Sequence, residues 1–220
     1  MYWMDIILSI ILLGLGYISA CCCLDGYKIN ELKISDLKIT KFRLLYLVIG
    51  VISVTALIIC LNVKYDLDVI SRLNLITLVL LILPVAAIDL KFHKIPNVFL
   101  LAGLGIRIVY LGIMYVQNAG HAWSVAKNSL IGALIIGLFF LILLLVFKNS
   151  IGMGDVKLFA LMGFYQGLSG VINSVFFSLV ASFFISVALL ITKKKGRNDT
   201  IAFAPSIYLG TIIAICIAGM

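Results

Sequence analysis

Apolar runs of about 17 to 20 residues recur along almost the whole chain, and each is long enough as a helix to cross a hydrocarbon core of roughly 30 Å. No other feature constrains the fold as tightly. Hydropathy marks eight spans, at approximately 6–24, 43–63, 73–90, 98–116, 127–147, 157–170, 172–192 and 200–219. They predict an all-α, polytopic membrane helix bundle occupying residues 1–220 as a single membrane-embedded domain. Only 12% of residues are charged, against about 25% in a soluble domain, so little is left over for a soluble body. The sixth span is short, which predicts that it is tilted, buried among neighbours or partly unwound.

The net charge of +8 invites a nucleic-acid reading, but in such a chain basic residues report first on which side each loop faces. Lys28, Lys33, Lys38, Lys41 and Arg43 follow span 1; Lys91 and Lys94 follow span 3; Lys148 and Lys157 follow span 5; Lys193, Lys194, Lys195 and Arg197 follow span 7. Lys64, Arg72, Arg107 and Lys127 remain, near the other face. The asymmetry puts the four basic loops in the cytoplasm of a plasma-membrane protein, with both termini outside. The lipid bilayer is therefore the expected partner, and nucleic acid is not. The one sizeable loop, 25–42, is too short to bury a core of its own and is expected to lie along the membrane surface.

The cysteines Cys21, Cys22, Cys23, Cys60 and Cys216 lie in or at the ends of apolar runs. They form no Cys-x-x-Cys pair, and no metal or other cofactor is expected. "ISAC" at 18–21 fits a lipoprotein cleavage box, but "MYWMD" supplies Asp5 and no basic residue, as a signal peptide requires. Residues 6–24 are therefore read as a retained helix.

Acidic residues are the informative minority, because a carboxylate at the centre of a spanning helix costs roughly 2.5 to 3.5 kcal/mol on insertion scales. Asp5, Asp25, Glu31, Asp36, Asp66, Asp68 and Asp199 fall in loops or at a terminus, where they are solvated; Asp199 could also cap span 8. Asp89, closing span 3 in "LILPVAAIDLKFHKIPN", and Asp155, opening span 6 in "NSIGMGDVKLF", do not. Both are expected at the cytoplasmic end of their helices. If they are neighbours, two carboxylates sharing a water cannot both ionise; one then polarises a peptide carbonyl while the other takes a proton from the water.

Gly152 and Gly154 flank Met153 and are expected to give the backbone unusual turning freedom and room for close approach. A plain helix start, with Asp155 in the first turn, explains "GMG" equally well. Pro96 marks where one helix ends and the next begins, and Asn97 is placed to cap or pair with backbone there. His93, between Phe92 and Lys94, reads as a surface histidine. Gly163 and Gly167 in "GFYQG" have small-xxx-small spacing, expected to pack helices within the bundle. Oligomeric state is left open.

Taken together, "IDLKFHKIPN", "GMGDVKLFALMG" and "IAFAPSIYLG" (201–210) resemble the three motifs of the type IV prepilin peptidases, aspartic membrane peptidases with a Gly-x-Gly-Asp signature. The resemblance covers roughly residues 75–215. It implies that Asp89 and Asp155 are the catalytic pair, with Gly152 and Gly154 shaping the site and Lys157, Pro96, Asn97 and Pro205 as supporting motif positions. It also implies removal of a short basic leader from prepilin-like or pseudopilin-like precursors, after a Gly at the junction with a hydrophobic helix. Ala202 stands where the family commonly has proline. Larger members carry two Cys-x-x-Cys pairs after span 1, linked to N-methylation; the loop here has no cysteine, which implies peptidase without methyltransferase activity. An archaeal-type preflagellin peptidase shares the short loop. A small ion-coupled transporter or assembly scaffold is the reading from a different class, disfavoured because both aspartates lie at one face and no repeat is seen.

Overall fold

A computed structural model describes residues 6, 7, 9–11, 13, 14, 16, 17, 41–65, 67–147, 152–193 and 201–218. All regular structure among them is α-helix: α1 (Lys41–Lys64), α2 (Val69–Phe92), α3 (Asn97–Gln117), α4 (Ala119–Val146), α5 (Met153–Ile191) and α6 (Ala204–Ala218). The described residues between 6 and 17 are helical too. Five of the helices are long and apolar enough to cross a membrane, and Ala204–Ile217 is a shorter apolar helix. A helix meets its backbone hydrogen bonds internally, as a spanning segment in lipid must. The protein is a multi-pass membrane helix bundle. Cys21 to Cys23, loop residues 25–40 and Asp199 lie outside the described residues.

The centre of the bundle is α2. Every position from Arg72 to Asp89 is buried, so the helix has no lipid face, and an all-round apolar sequence suits that place. Around it pack α1, α3, α5 and α6. The outer helices turn large side chains such as Leu101, Val109, Leu134 and Phe139 outward, where lipid is an adequate solvent. Pro84 interrupts α2 and leaves a notch in its hydrogen-bond ladder. Gly16 lies over it: an added Cβ would meet the Leu80 carbonyl and the Pro84 ring in ordinary contact at 3.8 Å, and Tyr46 Oη tightly at 3.1 Å.

Spans 6 and 7 meet inside α5, at Gly167 rather than at the expected boundary near residue 171. Gly167 has φ 68° and ψ −173°, a backbone region essentially reserved for glycine. The chain turns back there. A straight helix would carry Ser178 about 35 Å from Asp155. Ser178 instead lies against Gly210, whose added Cβ would be 2.3 Å from the Ser178 nitrogen, and Gly210 is only about 9 Å along α6 from Ala204, at the Asp155 end.

Such a break strands backbone groups that lipid cannot satisfy. Arg107 Nε donates to the Phe164 carbonyl (3.0 Å), Asn74 Nδ2 to the Tyr165 carbonyl (3.2 Å), and the Leu168 N–H finds Asn128 Oδ1 (3.4 Å). Arg107 also donates to Ser129 Oγ (2.8 Å) and lies over the Phe164 and Tyr165 rings. The small-residue spacing does pack helices within the chain: a Cβ on Gly132 of α4 would lie 2.6 Å from the Gly167 carbonyl carbon and 2.9 Å from the Gly163 oxygen.

Three expectations need correction. Arg107, counted with the charges near the outer face, is buried within the bundle because the broken helix needs its donors. Arg72 is buried as well, bonded to Asn62, so neither residue reports loop sidedness. Residues 119–126, expected between spans, form the first turns of α4, started by Asn118, whose side chain accepts the His121 N–H.

Candidate active site

Asp89 sits on the last turns of α2, only 6% exposed. Its Oδ2 accepts the backbone N–H of Ala204, the first residue of α6, at 3.0 Å. The first N–H groups of a helix have no partner within it, and the positive end of the helix dipole favours a carboxylate. Asp89 supplies that partner from across the bundle. Pro205, which follows, has no N–H to compete and lines an apolar groove with Tyr208, Leu90 and Ala86. The approach to α6 is held by stacked Phe140 and Phe159 (4.2 Å between centroids) and by Phe159 against Phe203 (5.8 Å).

Asp155 is half-buried in the first turn of α5. Its Oδ2 accepts the N–H of Gly152 at 3.3 Å, one half of a capping box; glycine has no side chain to return the other half. The helix-start reading of "GMG" therefore describes the backbone. Neither glycine has a positive φ, and Gly152 is at φ −77° and ψ 143°, so the expected turning freedom is not used. Space is used instead. A Cβ on Gly152 would lie 3.1 Å from Asp155 Oδ2, and one on Gly154 only 2.9 Å from Ile95 Cβ.

Ile95 belongs to the turn between α2 and α3, so this contact lays the "HKIPN" turn directly on the start of α5. A second tie joins the same two segments: Lys157 Nζ donates to Asn97 Oδ1 at 3.1 Å. Asn97 thus pairs with a side chain, contrary to the expected cap or backbone pairing; Pro96 occupies the N-cap position of α3 with φ −69°. His93 is exposed in a left-handed C-cap conformation, φ 50°, its N–H on the Asp89 carbonyl. These ties, with the Ala204 N–H on Asp89, set the end of α2, the start of α5 and the start of α6 at one end of the bundle.

The structure brings together Asp89, Asp155, Gly152, Gly154, Pro96, Asn97, Lys157 and the start of α6 at Pro205. Sequence reasoning missed Ala204, because its contribution is a backbone N–H and carries no residue-type signature. The proline directly after it was the available signal, since Pro is favoured in the first turn of a helix.

Two carboxylates, each accepting a backbone N–H at a helix start, stand toward one end of an all-α, multi-pass membrane bundle. Over residues 75–190 the sequence matches the type IV leader peptidase family, and the chain belongs to that family. Among curated proteins it is similar to the prepilin leader peptidase/N-methyltransferase of Bacillus subtilis (strain 168), 29% identical over 134 residues. That alignment covers 61% of this chain and 51% of the relative, so the chain spans about half of the relative's length. No solved structure matches it. The family match contains both aspartates and ends before α6, so the tie from Ala204 to Asp89 stands on geometry alone.

Proposed function

We propose that the protein is an aspartic endopeptidase that removes the basic leader from prepilin-like or pseudopilin-like precursors at the cytoplasmic membrane face. The observation that carries this reading is the joining of the turn that follows Asp89 to the helix start that carries Asp155, through Ile95 against Gly154 and Lys157 on Asn97. Each keeps one oxygen on a backbone N–H, which fixes its orientation; the other oxygens hold the attacking water between them. The ionised carboxylate takes a proton from that water, while its protonated partner donates to the scissile carbonyl as it becomes tetrahedral. The proton taken from the water then passes to the leaving amine as the C–N bond breaks, the diol returns a proton to the second carboxylate, and the pair is back in its starting state. The basic residues Lys91, Lys94 and Lys193 at this end support a cytoplasmic site, with both termini outside. The groove lined by Ala86, Leu90, Pro205 and Tyr208 is almost wholly apolar and begins one turn from Asp89, as a substrate with a hydrophobic helix requires.

The absence of cysteine from loop 25–42 supports peptidase activity without N-methylation. Co-expression of the parent, Asp89→Asn and Asp155→Asn with a prepilin-like precursor tests the proposal, with leader removal followed by gel shift. Each single variant is expected to leave the precursor uncut. Unimpaired processing by either would refute the two-acid mechanism. Mass spectrometry of the mature N-terminus checks the second point: one added methyl group, with no other methylase present, would overturn it.

A further inference from the structure

At the end of the bundle opposite the two carboxylates, the last turns of α1 and α6 are fastened together. Lys64 Nζ donates to the carbonyls of Cys216 (3.1 Å) and Ile217 (2.7 Å), and Tyr65 Oη donates to the same two oxygens at 3.5 and 3.2 Å. Cys60 lies four residues before Lys64, on the same face of α1. That face of α1 meets the turn of α6 that carries Cys216, whose own carbonyl Lys64 reaches, and the two thiols lie within interaction range of each other. Both are free and half-buried, and each is close to its helix end.

We propose that Cys60 and Cys216 form a redox-modifiable pair that closes to a disulfide on the extracytoplasmic side and locks α1 to α6. The compartment rests on the sidedness proposed above, since disulfides persist only where the surroundings are oxidising. The oxidant is a disulfide of an extracytoplasmic thiol oxidase. One cysteine thiolate attacks that disulfide, giving a mixed disulfide and releasing one thiol of the oxidase. The second cysteine then attacks the mixed disulfide; the Cys60–Cys216 bond forms and the oxidase leaves as a dithiol. Two electrons and two protons pass to the oxidase. The bond would secure α6, the shortest of the six helices, at the end opposite the N–H that holds Asp89.

The test uses the full chain in native membranes. Cells are acid-quenched, and the unfolded protein is alkylated with a maleimide-polyethylene glycol reagent before and after reduction. The parent is expected to gain two labelled thiols on reduction that the Cys60→Ser/Cys216→Ser double variant does not gain. Each single variant is expected to show the orphaned thiol labelled without reduction. Non-reducing peptide mass spectrometry should find the two cysteine peptides joined. Diamide treatment of the parent in detergent separates geometry from compartment, because a bridge needs Cα atoms within about 7 Å. Failure of diamide to join the two peptides overturns the pairing. Joining by diamide with both thiols labelled in unreduced cells overturns the proposed extracytoplasmic oxidation.

Discussion

Replacing Gly154 by alanine adds one methyl group at the point where the candidate site is assembled. On the present backbone that Cβ lies 2.9 Å from Ile95 Cβ, with Ile95 Cγ1 at 3.3 Å. Ordinary contact between such carbons begins near 3.5 Å, so the turn and the first turn of α5 must separate by about 0.5 Å. The Ile95 atom is a Cβ and cannot swing aside as a side-chain tip can. Asp155 is the next residue, and displacement at a reacting group is costly: about 1 Å is enough for roughly 100-fold. Gly154→Ala is therefore expected to lower kcat for leader removal by about 10- to 100-fold, with a smaller change in KM. Overpacking costs about 1 to 3 kcal/mol of stability, so the folded fraction is measured beside the rate. Gly112→Ala is the control, because nothing lies within 4 Å of its added Cβ and processing should stay at the parental rate. Parental kcat in well-folded Gly154→Ala would refute the idea that the Ile95 contact sets the spacing of the two acids.

Arg107→Met should destabilise the protein by about 2 to 4 kcal/mol, combining an orphaned buried carbonyl with lost ring contacts. Unfolding by SDS in mixed micelles reads this out, and a parental transition would show that the Gly167 turn does not depend on Arg107. Lys157→Met removes the exposed bond to Asn97 and is expected to slow processing by about threefold to tenfold, the rate equivalent of one modest hydrogen bond. Asn97→Ala should have the same effect, and the two changes together should cost no more than either alone. Additive losses would mean that the two residues act separately.

The spans were legible because lipid imposes a length and a polarity on any segment that crosses it, and both are written directly in residue order. Asp89 and Asp155 were legible for the complementary reason: a carboxylate among apolar residues is conspicuous. The glycines of "GMG" were visible as anomalies; the helix start and the room for close approach were legible in them, while the turning freedom also expected is not used. Their service is room for Ile95 and for the Asp155 carboxylate, and the neighbours that take up that room are known only once the chain is folded. Arg107 was misplaced because a charge count treats every basic residue as loop punctuation, whereas this one answers a backbone break 60 residues further along.

Hydropathy and rare charges, then, determined by themselves that the chain is a helical membrane bundle and which two acids stand out in it. Those properties depend on each segment's own partition between water and lipid. Tertiary structure alone decided that Ala204 offers its N–H to Asp89, that Lys157 and Ile95 join one turn to another, and that Gly167 reverses the chain. Each of these depends on a donor, an acceptor or a gap meeting its complement from a distant part of the sequence, and hydropathy carries no term for such a meeting.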